Sequence, residues 1–184
     1  MTALRAQNDG TFGNYSFTYD NAGNLTSKVD ANGQIINYGY DKLNRLISED
    51  FTANAGVETT YQYDTCGIGK LCTATEGNVI KSYGYNFLGQ IIAEKLKLEG
   101  KEYLTQFSYD FQNNPLTMTY PDGTVNNFGY NMEGKIKSVK NNGKDIVKNI
   151  NYAATGASEK IEKANNTSSI NSFDLNKLYR LNNK

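Results

Sequence analysis

Short runs in which an aromatic or branched residue alternates with a small or polar one recur along the chain. Between Ile35 and Tyr40, the residues Ile36, Tyr38 and Tyr40 fall on one side of an extended strand and Ile35, Asn37 and Gly39 on the other. Tyr61 with Tyr63, Tyr83 with Tyr85, Phe107 with Tyr109, and Phe128 with Tyr130 repeat the aromatic-x-aromatic spacing. A period of two carried by β-branched and aromatic residues predicts strands, half covered on one face.

Two kinds of reversal separate these runs. One follows an aromatic residue, as in Tyr19-Asp20-Asn21-Ala22-Gly23-Asn24-Leu25, Tyr40 to Leu46 and Tyr85 to Ile91. The Asp or Asn after the aromatic is placed to accept backbone amides of its own turn. Gly23, Gly89 and Gly134, or Asn44, then supply the positive φ of a tight reversal. The other kind reads Asp9-Gly10, Asn32-Gly33, Ala55-Gly56, Glu76-Gly77, Glu99-Gly100, Asp122-Gly123, Asn142-Gly143 and Asn165-Asn166. Asn-Gly and Asp-Gly between alternating segments are strong signals for short hairpins.

The aromatic turn returns about every 22 residues, the sequence signature of a repeat architecture. Its members are Tyr19-Asp20, Tyr40-Asp41, Tyr63-Asp64, Tyr85-Asn86, Tyr109-Asp110 and Tyr130-Asn131, with Tyr152-Ala153 and Phe173-Asp174 as weaker forms. The expected fold is all-β: an antiparallel meander of about eight tandem hairpins running through residues 1–184, with no separate domain. The pattern loosens at residues 153–169, where an irregular repeat is expected. Stacked hairpins would line the aromatic pairs up across neighbouring strands, so sheet packing is the first reading of the tyrosines.

Composition narrows the function. The 184 residues carry 19 basic and 19 acidic side chains, a formal charge of zero, with no basic stripe of the kind nucleic acid requires. No apolar run is long enough for a membrane span. The chain has no His, which removes the commonest general base and the commonest metal ligand. Neither catalysis nor a cofactor is expected. Asp20, Asp41, Asp64 and Asp110 recur once per repeat, and turn capping explains them better than a row of Ca²⁺ sites. Cys66 and Cys72 flank the irregular turn Gly67-Ile68-Gly69-Lys70-Leu71. They are either a disulfide stapling that turn or two free thiols.

The string Tyr-Asp-x-x-Gly-x-Leu, followed about 17 residues later by Tyr-x-Tyr-Asp, resembles the YD repeat of the RHS (rearrangement hot spot) family. The closest agreement lies at Tyr19 to Leu25, Tyr38 to Leu46, Tyr83 to Ile91 and Phe128 to Ile136, and the resemblance runs over roughly residues 9 to 181. It implies a curved segment of a β-spiral shell. In the bacterial members, which include the C-component of Tc insecticidal toxins, such a shell encloses a toxic C-terminal polypeptide. In teneurin-like members it belongs to an adhesive extracellular region. The resemblance thus implies two partners, the rest of a larger RHS polypeptide and its enclosed effector, and a secreted or cell-surface location. It also favours the Cys66–Cys72 bridge, since bacterial RHS sequences often carry a Cys pair around a Gly-Lys-Gly turn. The family's self-cleavage aspartates have no counterpart in this chain. An alternative is a surface module whose tyrosine-rich sheet face binds carbohydrate or a partner protein.

Overall fold

The computed structural model of the chain describes residues 4–9, 13–53, 56–174 and 180–181. Contacts divide it into two compact units, Met1–Tyr103 and Leu104–Lys184. The first unit holds β1 (Leu4–Asp9), β2 (Gly13–Tyr19), β3 (Leu25–Val29), β4 (Ile35–Tyr40), β5 (Leu46–Phe51), β6 (Thr59–Tyr63), β7 (Leu71–Glu76), β8 (Val79–Tyr85) and β9 (Ile91–Leu98). The division falls inside β10 (Lys101–Tyr109). The second unit continues with β11 (Pro115–Thr119), β12 (Val125–Tyr130), β13 (Ile136–Asn141), β14 (Lys144–Tyr152), β15 (Ser158–Lys163) and β16 (Ser168–Ile170). A short separate pair, β17 (Phe173–Asp174) and β18 (Arg180–Leu181), closes the described chain. Apart from the β17–β18 pair, neighbouring strands within each unit pair antiparallel in sequence order. The fold is therefore the all-β antiparallel meander that the alternation predicts.

Each unit keeps the two sheet faces chemically distinct. On one, Phe17 faces Lys28, Lys28 faces Ile36, Ile36 faces Phe51 and Tyr38 faces Glu49. On the other, Ser27 faces Asn37, Asn37 faces Asp50 and Gly39 faces Ser48. The second unit repeats this, with Phe107 opposite Met118 and Phe128 opposite Val139 on the aromatic face, and Ser108 opposite Thr117 and Gly129 opposite Ser138 on the polar one. Among the described side chains only Cys72 is buried, at 3% exposure, and most others are half-buried. Cohesion therefore comes from the backbone ladder and from cross-strand pairs, each contributing about 0.2–1 kcal/mol.

The aromatic of each repeat sits where the ladder shifts register. Gly39 pairs with Ser48 but Tyr40 with Leu46, which leaves Ile47 as an extra residue in β5. The same shift occurs at Tyr19, Tyr63, Tyr85, Tyr109, Tyr130 and Tyr152. Such bulges increase local twist and re-aim side chains. They also explain Pro115, which opens β11 opposite Tyr109 where the ladder is already interrupted. At Gly39 and Gly129 the residue between the two aromatics leaves room for the hydroxyl of the serine opposite, whereas Thr18, Gln62 and Ser108 carry a side chain at the same place. A Cβ on Gly39 would lie 2.3 Å from Ser48 Oγ, and one on Gly129 2.4 Å from Ser138 Oγ.

The second class of reversal makes short hairpins of two kinds. Asn142 and Gly143, at φ 47° and 76°, form a two-residue turn between the paired Asn141 and Lys144. Glu99 and Gly100 also have positive φ. Glu76 pairs with Val79, so that turn is centred on Gly77-Asn78. Asn32-Gly33 and Asp122-Gly123 belong to a slightly longer kind. Each lies in a three-residue loop closed by Gly33 N to Asp30 O at 3.0 Å and Gly123 N to Tyr120 O at 2.9 Å. At the first of these, Asp30 accepts the amides of Asn32 and Gln34, both at 2.9 Å, and so stabilises the longer loop. Asn165-Asn166 behaves likewise, with Asn166 N bonded to Lys163 O at 3.1 Å. At residues 153–157, Gly156 N bonds to Ala153 O at 2.8 Å and β15 follows directly. Gly10, Ala55 and the centre of the Phe173–Leu181 repeat lie outside the described residues.

Candidate functional site

The chemistry of this chain is concentrated at the ends of strands, where the aromatic turns of successive repeats lie side by side. In the first turn Asp20 Oδ1 accepts the amides of Ala22 at 2.9 Å and Asn24 at 2.8 Å, while Gly23, at φ 88°, closes the backbone turn. Asp41, Asn86, Asp110 and Asn131 each accept the corresponding two amides at 2.8–3.0 Å. Bonding to the charged form holds these carboxyls below their ordinary range. For Asp20 and Asp110 the leading cause is the side chain of Asn24 or Asn114, and for Asp41 it is the amide of Arg45. Among the described residues no group of carboxylates or thiols is arranged to hold a metal ion.

Tyrosines join one repeat to the next. Tyr85 Oη donates to Leu71 O at 2.9 Å, Tyr130 Oη to Pro115 O at 2.7 Å and Tyr152 Oη to Ile136 O at 2.6 Å. Leu71, Pro115 and Ile136 are the cross-strand partners of Tyr63, Tyr109 and Tyr130. Each of these three hydroxyls thus bonds to a carbonyl made available by the bulge of the preceding repeat. Burial pushes the hydroxyls of Tyr40, Tyr85 and Tyr130 up from their ordinary value. Tyr61 is pushed up to about 12, first by burial and then by its 2.8 Å bond to Glu49. Tyr19 ends β2 opposite Leu25.

Sequence reasoning missed the side chain that follows the left-handed residue of each turn. At Asn24, Nδ2 donates to Asn44 Oδ1 of the next turn at 2.9 Å. At Arg45, Nε bonds to Asp41 at 2.7 Å, and the two terminal nitrogens bond to both oxygens of Asp64 at 3.1 and 2.6 Å. Its guanidinium also lies 4.4 Å from the ring centre of Tyr63. Lys70 sits 5.3 Å over Tyr85 and Lys135 5.3 Å over Tyr152. The signal was available as a polar or cationic residue five places after the repeat aromatic, or seven in the longer loop after Tyr63. Its meaning requires knowing that the next turn lies alongside.

One turn departs from the rest. Between Tyr63 and Leu71 the loop is longer, Asp64 itself adopts φ 70°, and its Oδ1 accepts Gly69 N at 2.6 Å. Cys66 and Cys72 form a disulfide across this loop, with Cα atoms 5.5 Å apart. Apolar side chains project from several turn tips. Ile68 and Phe87 are 95% exposed in the first unit, and Phe111 and Met132 are fully exposed in the second. The second unit also has a shallow hollow of about 510 Å³, lined by residues including Lys135, Asn149, Tyr152 and Glu159. Lys135 is already engaged there, paired with Glu133 at 2.9 Å and lying over Tyr152. The arrangement as a whole holds neighbouring turns together and leaves both sheet faces open.

Comparison with known proteins agrees with this geometry. The RHS Repeat family matches residues 19–50, the stretch from the first aromatic turn through β5. No curated protein matches the chain. Among solved structures, TcdB2-TccC3 is similar at a TM-score of 0.86 and 16% identity, covering 96% of this chain and 10% of that one. The TcdB2-TccC3-Cdc42 structure gives 0.80 at 17% identity, over 97% and 11%. A mutant TccC3 form of the Photorhabdus luminescens Tc holotoxin pore gives 0.79 at 16% identity, over 92% and 10%. The chain therefore spans about a tenth of the length of the structures it matches. It carries an RHS repeat at residues 19–50, and its sheet has the fold of the tenth of TcdB2-TccC3 that it matches.

Proposed function

We propose that this chain is a wall segment of an RHS-repeat shell, which encloses and sequesters a C-terminal toxin or effector encoded by another part of a larger polypeptide. The observation that supports this most is a sheet in which only one described side chain is buried, matched over 96% of its length to a tenth of a TcdB2-TccC3 chain. A sheet of this kind separates two spaces and has edges that further strands can extend. Its action on the cargo is steric, and it performs no catalysis. The two compact units are consecutive stretches of one repeat array. Secretion or cell-surface display of the whole protein accords with the disulfide.

The carbohydrate-binding alternative has less support. Tyr63, Tyr83, Tyr85 and Tyr152 each have one ring face occupied by a cation of this same chain. Immunoblotting of the source organism with an antibody against residues 19–50 tests the wall reading. The expected result is a product several times heavier than 20.5 kDa, accompanied by a protease-protected fragment that becomes digestible once the shell is denatured. A free-standing product near 20.5 kDa overturns it.

A further inference from the structure

We propose that the Cys66–Cys72 bridge is a thiol–disulfide exchange site, and that its reduction by a small thiol uncouples two neighbouring turns at once. The proposal concerns the loop's own connections and does not depend on what the proposed wall encloses. The regular turns at Asp41 and Asn86 are each closed by one side-chain oxygen that accepts two backbone amides. The loop at residues 64–70 lacks that closure. Asp64 Oδ1 accepts one loop amide, from Gly69, and both its carboxylate oxygens bond to Arg45. The remaining closures are Asp64 N to Lys70 O at 3.0 Å, Lys70 N to Gly67 O at 3.1 Å, Cys66 N to Cys72 Sγ at 2.8 Å, and the disulfide. Asp64 and Gly69 are both held in the left-handed region, at φ 70° and 74°. Asp is among the few non-glycine residues that adopt this conformation, here with its carboxylate bonded locally to Gly69 N at 2.6 Å.

The loop is also the link between its two neighbours. On one side Asp64 receives Arg45 of the preceding turn in a bidentate pair. On the other, Lys70 Nζ donates to Gly89 O at 3.3 Å and lies over Tyr85, both in the following repeat. Loosening residues 64–70 removes the anchor point for both contacts. Cys66 is exposed and Cys72 is buried, so an incoming thiolate reaches Cys66 Sγ. Cys72 then leaves as a thiolate and takes up a proton, giving a mixed disulfide on Cys66. A second thiol attacks that mixed disulfide and releases the Cys66 thiol. Two thiols of the glutathione class, or one dithiol, supply the two electrons and two protons and end as a disulfide.

The test is hydrogen exchange and NMR on the full chain, oxidised and then treated with dithiothreitol under native conditions. A Cys66→Ser/Cys72→Ser double variant serves as a second, reductant-independent form. The expected result is exchange at least about tenfold faster at the Gly69 and Lys70 amides, with a clear shift of the Gly89 carbonyl-carbon signal, whose oxygen loses Lys70, and of the Arg45 Nη–H signals, which lose Asp64. The turn at residues 131–135 should remain unchanged in both forms. Three outcomes overturn the proposal: a bridge that resists dithiothreitol in the folded chain, changes confined to residues 66–72, or an equal loss of protection at Glu133 and Lys135. The last would make the bridge a general staple.

Discussion

Tyr85 carries two duties that a single atom separates. Its ring receives Lys70, and its hydroxyl bonds to Leu71 O in the neighbouring strand. Tyr85→Phe keeps the first and removes the second, and it should lower unfolding free energy by about 0.5–1.5 kcal/mol, read from the urea midpoint. Charge adds a pH signature. Asp20, Asp41 and Asp110 have folded pKa values below the ordinary 3.8, so near that pH the unfolded chain binds more protons than the folded one. Their contribution is complete above pH 3.8 and is lost as pH falls through the lower folded values. Tyr61 acts at the other end. Its folded pKa of about 12 exceeds the ordinary 10.0, so its contribution is intact below pH 10.0 and is lost as pH rises toward 12. Urea midpoints measured across pH should show both limbs, and Tyr61→Phe should reduce the alkaline one, to which the raised hydroxyls of Tyr40, Tyr85 and Tyr130 also contribute.

Elements are decided by turns. Most turn chemistry was legible in the chain because it is local: Asp20 serves amides two and four residues away. Loop length was less legible. Asn142-Gly143 makes a two-residue turn, whereas Asn32-Gly33 lies in a three-residue loop capped by Asp30. Glu99 occupies the position that Asn142 fills, at φ 49°, with a side chain poorly suited to the left-handed region. Glu99→Asn should therefore raise stability by about 0.5–1 kcal/mol, measured by thermal or urea unfolding. A decrease would mean that the Glu99 side chain makes a contribution outweighing its backbone conformation.

At the scale of the molecule, the consequence of an uncovered sheet is an exposed edge. Among the described residues β16, only three residues long, pairs with β15 alone and presents Ile170 at 69% exposure. Natural edge strands are commonly protected by charged side chains. Because Ile170 lies opposite Lys160, Ile170→Glu supplies the edge charge with a cross-strand partner; it should reduce concentration-dependent association in light scattering and leave the unfolding free energy within about 0.5 kcal/mol of the parent. Unchanged association would place the sticky surface elsewhere, with the apolar tips at Ile68, Phe87, Phe111 and Met132 next to be changed.

By itself the sequence determined the strands, the repeat and the capping of the aromatic turns, because alternation and Asx bonding act over a few residues. It also contained the small residues between aromatics, although the close approach of Gly39 to Ser48 shows only once β4 and β5 are in register. Tertiary structure alone decided that Arg45 would join Asp41 to Asp64, that Lys70 would lie over Tyr85, and that the Cys66–Cys72 loop would stand between them. Those contacts link residues that are distant along the chain. They arise from bulges and turns that set adjacent repeats side by side, a spacing that no local pattern specifies.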